Sequence, residues 1–135
     1  DVERSRGLGD VYKRQATVNA VKLQYPNKKL IVAFELHTYS SLNQKFIKNY
    51  RNTLKNADEC LISFSEKNME IKGFEPLSHK LIMNAFNHHK IKLATDLVSF
   101  EKILLSFDLS NSVLLLMSSG NFNGFDYKKI KKNLK

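Results

Sequence analysis

The residues best placed to do chemistry follow an apolar run at 30–34 and begin with an acid and a base one residue apart, Glu35 and His37. In an extended strand these two side chains would point the same way, because residues i and i+2 share a face. An acid and a base at this spacing could bind an amine and a carboxylate, or move a proton. A histidine at a strand end is also often a satisfied structural group, so the spacing alone leaves both interpretations open.

A second polar segment, SSGNFNG at 118–124, follows the most apolar run of the chain at 112–117. Its two serines supply hydroxyls, and Gly120 is a position where backbone N–H groups can approach an anion or a carboxylate closely. The alternative is an ordinary strand-to-helix turn, with Asn123-Gly124 as its tightest point. The chain has no GxGxxG or GxxxxGK[ST] pattern, which are the usual dinucleotide and nucleoside triphosphate motifs.

Apolar runs alternate with helical patterns along the chain and would position these two loops. The predicted strands are 30–36, 60–65, 90–95 and 112–117, and the predicted helices are 16–25, 42–57, one capped by Ser78, one opened by Ser99, and the basic tail, with a loop through Asn68, Gly73 and Pro76. No hairpin signal separates the strands, so we predict an α/β fold, a three-layer Rossmann-like and mostly parallel sheet with helices on both faces. Both polar loops would then leave the same edge of the sheet and could line one crevice. Sequence order does not establish that their strands are neighbours.

Composition indicates one globular domain without a membrane span. The chain has 135 residues, 42% of them hydrophobic and nine of them Phe, which is enough for a core. No apolar run reaches the roughly 20 residues that cross a bilayer. The single cysteine, Cys60, lies in an apolar stretch, which predicts a buried thiol and fits a reducing cytoplasm.

The net charge of +9 raises the question of nucleic-acid binding. The lysines are scattered except in the tail 128–135, and scattered lysines are typical of a solvated surface. The chain has no recognition motif and no interleaved stacking aromatics, so we expect no nucleic-acid partner. We also expect no metal site, because His88-His89 has no further ligands near it in the sequence.

The first fifteen residues differ in composition from the rest. They contain three of the four arginines, whereas residues 16–135 contain only Arg51. The segment 5–15, SRGLGDVYKRQ, resembles the translated adaptor of a transposon-based sequencing library, so we interpret 1–15 as non-native and 16–135 as the domain. A natural basic N-terminal arm is the alternative.

Four segments resemble, in order and spacing, the C-terminal domain of Mur ligases. They are ATVNAV (16–21), YPNKKLIVAFELHTYSSLN (25–43), ADE (57–59) and LLLMSSGNFNG (114–124). The likeness is to the branch of the murein peptide ligase and the UDP-N-acetylmuramate:L-alanine ligase, in a Bacteroidota-like form. It spans essentially all of 16–135, and ELHTYSSLN followed later by MSSGNF is its most specific part.

The resemblance implies an ATP-dependent ligase that joins UDP-N-acetylmuramate to L-alanine or a murein peptide through an amide bond, in peptidoglycan synthesis or recycling. In such enzymes ATP phosphorylates a carboxylate of the UDP-muramyl substrate, and the acceptor amine attacks the acyl phosphate. The C-terminal domain closes over the ATPase domain and recognises the acceptor. The resemblance assigns acceptor contact to Glu35, His37, Thr38 and Ser41 on one loop, and to Ser118, Ser119, Gly120, Asn121 and Phe122 on the other.

The same resemblance implies that essential parts lie outside this chain. The P-loop and the magnesium-binding centre belong to other domains, so we expect this fragment to bind no cofactor and to be inactive alone, while its parent uses ATP and magnesium. The UDP-muramyl substrate and the acceptor would be partners through those missing domains. The family starts this domain with a strand upstream of Ala16, so the sheet is expected to lack its first strand.

The sequence leaves open the identity of the acceptor and one alternative function. The loop reads Glu-Leu-His where other branches have a proline and often an arginine, so the sequence does not distinguish L-alanine from a tripeptide as the acceptor. The alternative function is a free-standing flavodoxin-like binding or regulatory module that uses the same crevice.

Overall fold

The computed structural model describes residues 2–36, 45–71, 73, 78–118 and 120–133. Within them, the strands are β1 (Lys29–Glu35), β2 (Glu59–Ser63), β3 (Ile91–Ala94) and β4 (Ser112–Met117). The α-helices are α1 (Val2–Gln24), α2 (Glu66–Ile71), α3 (His79–Phe86), α4 (Leu97–Ser106) and α5 (Lys128–Asn133). Short 3-10 helices occupy Ile47–Tyr50 and Phe122–Gly124.

The four strands form one parallel sheet in the order β3-β2-β1-β4. The predicted α/β class and parallel sheet are therefore confirmed. β1 lies between β2 and β4, with Glu35 opposite Ser63 of β2 and Phe34 opposite Met117 of β4. The carboxyl ends of β1 and β4 are consequently neighbours, a relationship that sequence order left open.

The sheet separates two apolar cores because successive strand residues point to opposite faces. On one face, Val32 and Phe34 of β1 pack with residues of α1, α3 and the 3-10 helix Ile47–Tyr50. On the other face, Ile31 and Ala33 pack with residues of α4 and with Phe122 and Phe125. Helical segments therefore cover both faces, which explains why almost all of β1 is buried and reads as a continuous apolar run.

β4 is the least buried strand in the described part of the chain, although its sequence is the most apolar. Residues 112–116 are only partly buried, and β4 pairs with β1 alone among the described strands. An apolar edge strand exposes unpaired backbone groups that can associate with other chains. The expected loss of a first strand remains a prediction.

The helix predicted over 42–57 is wrong within the residues that the structure describes, which begin at 45. Only Ile47–Tyr50 is helical there, and it is a 3-10 turn. The chain then leaves helical geometry, because Arg51 has a non-helical ψ of 129° and Asn52 has a left-handed φ of 64°. The inward positions were correct, since Tyr50, Leu54 and Ala57 are buried. Apolar spacing of three and four thus identified buried residues of a turn-rich segment without identifying its conformation.

Other element boundaries also differ from the sequence predictions. The first helix begins at Val2 rather than at Ala16, and a short helix, α2, occupies part of the predicted loop through Asn68. Ser78 caps α3 as predicted, accepting a hydrogen bond from the Leu81 N–H at 3.0 Å. The cap of α4 is Asp96 rather than Ser99. Ser99 sits at the third helical position and completes a capping box with Asp96.

No described helix combines the length and the apolar character needed to cross a membrane.

Candidate functional site

The candidate site lies at the carboxyl edge of the sheet, between the ends of β1 and β4. Glu35 is the last residue of β1, and Ser118 directly follows β4. These strands pair in parallel up to Phe34 opposite Met117, so the two polar residues emerge side by side. Crevices at the carboxyl ends of parallel strands are where α/β proteins bind ligands.

A buried carboxylate joins the two strand ends. Glu35 is only 4% exposed, and its Oε1 accepts a short hydrogen bond from Ser118 Oγ. The same oxygen accepts a hydrogen bond from the backbone N–H of Phe122 at 3.2 Å. Ser118 Oγ in turn accepts the N–H of Gly120 at 2.7 Å. Hydrogen bonds to an ionised carboxylate are roughly twice as strong as neutral ones, so this network is a firm link between β1 and the loop after β4.

The loop after β4 has an unusual backbone. Phe122, Asn123 and Gly124 all have left-handed φ values, of 53°, 58° and 84°. Only glycine adopts such values without steric cost, so the first two residues must be held in place by their surroundings. The Asn121 side chain caps this turn by accepting the N–H of Gly124 at 3.2 Å. The tight point predicted at Asn123-Gly124 is confirmed.

The Phe122 side chain anchors this loop to the apolar core. Its side chain is 1% exposed and stacks on Phe100 of α4, with ring centroids 4.9 Å apart. Phe125 also contacts Phe100, edge to face at 5.2 Å. The ring of Phe122 is therefore part of the apolar core, and only its backbone lies in the polar network.

The structure brings together five of the nine residues that the resemblance assigned to the acceptor. They are Glu35, Ser118, Gly120, Asn121 and Phe122. The other four predictions, His37, Thr38, Ser41 and Ser119, lie outside the described residues. Direct contact between any of the nine and an acceptor remains a prediction.

Sequence reasoning missed Ser63, the last residue of β2. It lies opposite Glu35 in the sheet register, so both side chains point to the same face. Ser63 is fully buried, and its Oγ has no hydrogen-bond partner among the described residues. The sequence context of Ser63 could have identified it, because Ser63, like Glu35, is a polar residue at the carboxyl end of an apolar strand.

His88, which the sequence left without an assignment, has a structural environment. Its Nδ1 accepts the Lys90 N–H at 3.0 Å, and its Nε2 lies 2.7 Å from the carbonyl oxygen of Ala57. Across the described residues, no group of three or more His, Cys, Asp or Glu side chains could hold a metal ion.

The chain is similar in sequence to ligases that share one name. A UDP-N-acetylmuramate–L-alanine ligase of Lactobacillus acidophilus is 23% identical over 112 residues, which cover 83% of this chain and 24% of that protein. Ligases of the same name from Francisella tularensis are 34% identical over 80 residues, covering 53% of this chain and 18% of theirs. The chain therefore spans a quarter or less of the length of these relatives. No family model matches it.

A solved structure shares the fold. It is a domain assigned to a UDP-N-acetylmuramate:L-alanyl-gamma-D-glutamyl-meso-diaminopimelate ligase of Haemophilus ducreyi, with a TM-score of 0.60 and 15% identity. The match covers 91% of this chain and 83% of the solved domain. The chain is therefore similar in sequence to Mur ligases and shares the fold of a Mur ligase domain.

Proposed function

We propose that this chain is the C-terminal, acceptor-recognising domain of an ATP-dependent Mur ligase. The parent enzyme would join L-alanine or a murein peptide to UDP-N-acetylmuramate in the cytoplasm. The relatives named above support this assignment, and they are more than four times as long as the segments that match. The remaining length would supply the domains that bind ATP, magnesium and the UDP-muramyl substrate.

The observation that carries the proposal is the link from Glu35 to Ser118 and to the N–H of Phe122. It joins the two segments that most resemble the ligase domain, and it does so at the carboxyl edge of a parallel sheet. The described residues of this edge can bind and orient a polar acceptor through hydroxyl, carboxylate and backbone groups.

The test is to recover the parent reading frame by sequencing the native locus well upstream of the codon for Ala16. The full protein would then be assayed with ATP, magnesium and UDP-N-acetylmuramate, with either L-alanine or L-alanyl-γ-D-glutamyl-meso-diaminopimelate as the acceptor. Release of ADP and the mass of the product report ligation. We expect ligation with one of the two acceptors and none from residues 16–135 alone.

Two results would contradict the proposal. One is a native start codon close to Ala16, which would favour the free-standing binding module. The other is a full-length protein that has a P-loop in frame and binds ATP but forms no amide with either acceptor.

A further inference from the structure

Glu35 is poorly placed to contact an acceptor directly. Its side chain is almost fully buried, and Oε1 already accepts two hydrogen bonds. Both donors come from the loop that follows β4. No Lys, Arg or His among the described residues forms an ion pair with this carboxylate. Within the described part of the chain, the stabilisation of the Glu35 carboxylate therefore depends on that loop.

The loop depends equally on Glu35. Phe122 donates its N–H to the carboxylate at the residue where the left-handed turn begins, and a non-glycine residue is strained at positive φ. The ring of Phe122 is fixed by stacking on Phe100 in the apolar core. One hydrogen bond to its N–H and one stacking contact of its ring thus determine where Phe122 lies.

We propose that Glu35 is a positioning residue of the acceptor site, which acts through Ser118 and the Phe122 N–H and does not itself bind the acceptor. Its carboxylate holds the loop after β4 in the shape that presents Ser118, Gly120 and Asn121 at the crevice. The statement that the crevice binds the acceptor rests on the proposed function. The arrangement of the loop can be tested without any ligand.

The discriminating variants are Glu35→Ala and Glu35→Gln. Glutamine keeps an oxygen that can accept from both Ser118 Oγ and the Phe122 N–H, but it lacks the negative charge. A positioning residue needs the acceptor oxygen, so Glu35→Gln should rescue what Glu35→Ala loses. A residue that binds the acceptor ammonium needs the charge, so Glu35→Gln should then fail as Glu35→Ala does. Ser63→Ala is the matched control, because Ser63 is buried beside Glu35 on the same face without a described partner.

The first measurement is amide hydrogen exchange on the 135-residue chain, with NMR as the detection method. Glu35→Ala should speed exchange of the Phe122 amide about tenfold or more, which is the size of effect expected for one lost buried hydrogen bond. The amides of Cys60 and Ile62 in β2 should change much less. Glu35→Gln and Ser63→Ala should leave the Phe122 amide within about threefold of wild type, because both retain its hydrogen bond. An unchanged Phe122 amide in Glu35→Ala, or equal acceleration of all these amides, would overturn the proposal.

Ser118→Ala provides a second variant in case Glu35→Ala does not fold. It removes the hydroxyl that bonds Glu35 and Gly120 but leaves the bond from the Phe122 N–H to the carboxylate. Exchange of the Gly120 amide should therefore increase more than that of Phe122. The reverse order would contradict the assigned network.

The parent ligase gives the functional readout. Glu35→Ala should raise the KM for the acceptor about tenfold or more with a smaller change in kcat, and Glu35→Gln should restore it. If Glu35→Gln is as impaired as Glu35→Ala while its Phe122 amide stays protected, the charge contacts the acceptor and the positioning role is wrong. If the wild-type parent forms no amide at all, the proposed function fails, whereas the exchange result still decides whether Glu35 holds the loop.

Discussion

Lys22 and Asp58, 36 residues apart in the chain, join the end of α1 to the start of β1 through one carboxylate oxygen. Lys22 Nζ lies 2.9 Å from Asp58 Oδ2, and the N–H of Leu30 donates to the same oxygen at 2.7 Å. Lys22 also donates to the carbonyl oxygen of Lys28 at 2.9 Å. This cluster lies at the amino edge of the sheet, opposite Glu35. It fixes the direction in which α1 meets the sheet.

The Asp58 cluster predicts an acid-sensitive contribution to stability. Burial is the largest single influence and opposes ionisation, but the Leu30 N–H, the Lys22 ammonium and Lys90 together outweigh it and lower the pKa of Asp58. A lowered folded-state pKa gives stability that is complete above the unfolded-state value of about 3.9 and is lost as pH falls through the folded-state value. Asp58→Ala should therefore destabilise the chain by about 1 kcal/mol at pH 7, since water screens this partly exposed pair.

Asp58→Asn separates the charge from the hydrogen bond. The Asn oxygen can still accept the Leu30 N–H, so this variant should lose less stability than Asp58→Ala at pH 7. Urea unfolding of both variants and of wild type at pH 7 and pH 3 measures the difference. The gap between wild type and Asp58→Asn should shrink at pH 3 and in high salt. An equal gap at both pH values would show that the charge does not matter.

The packing of the N-terminal segment predicts that truncating its buried valine lowers stability. Val11 is 4% exposed and belongs to the core on the α1 face, and the Arg14 guanidinium lies 5.6 Å from the ring centre of Phe34. Val11→Ala should destabilise the chain by about 1.5 kcal/mol, from two lost buried carbon atoms. Tyr12→Ala is the control on the same segment, because Tyr12 is 68% exposed. If the two variants had the same midpoint of thermal unfolding, the packing of Val11 would be contradicted.

This packing shows what composition could not reveal. The segment 1–15 differs from the rest in arginine content and resembles an adaptor, and its non-native origin remains a proposal. A helix, however, continues wherever residues of adequate propensity present an apolar side chain at the right turn. Val11 lies seven residues before Val18 on the same face, and both are buried. Excluding the segment from fold reasoning therefore removed one core residue from the prediction.

Strands were predicted better than the segment between β1 and β2. The predicted 112–117 matches β4 because a short apolar run bounded by polar turn residues has few other conformations. The segment 45–57 failed because its buried residues recur at helical spacing while Asn52 adopts a left-handed conformation. Tertiary packing of Tyr50 against Phe34 and Phe86 determines that segment, and local propensity does not reveal it.

The site was predicted only in part for a similar reason. Residue types located Glu35 and Ser118 at the ends of two strands, but their contact depends on the strand order, in which β4 joins the sheet beside β1. Ser63 was missed because one serine at the end of a strand has many structural explanations. The register that sets it opposite Glu35 appears only in three dimensions.

Cys60 should be unreactive in the folded chain. Burial, and to a lesser extent the Glu59 and Asp58 carboxylates, raise the pKa of its thiol to about 12. At pH 8 the thiolate fraction would be on the order of one in ten thousand, and the thiolate is the species that reacts. Labelling with a thiol-reactive disulfide should be slow in buffer and fast in urea. Fast labelling in buffer, with the native spectrum retained, would contradict the burial of Cys60.

His88 should be held as one neutral tautomer that ties the end of α3 to the segment before β2. The Lys90 N–H can only donate, so Nδ1 must accept and be unprotonated, and Nε2–H then donates to the carbonyl of Ala57. His88→Ala should destabilise the chain by about 1 to 2 kcal/mol, the cost of two lost hydrogen bonds at a partly buried site.

The neighbouring His89 supplies the control, because it is exposed and only stacks on His88, with ring centroids 4.7 Å apart. His89→Ala should therefore change stability by less than about 0.5 kcal/mol. Nitrogen-15 NMR of the imidazole rings reports the tautomer directly. We expect the Nε2–H form when the His88 ring is neutral. A dominant Nδ1–H form would mean that the Lys90 N–H bonds elsewhere, and the two single variants should then be equally mild.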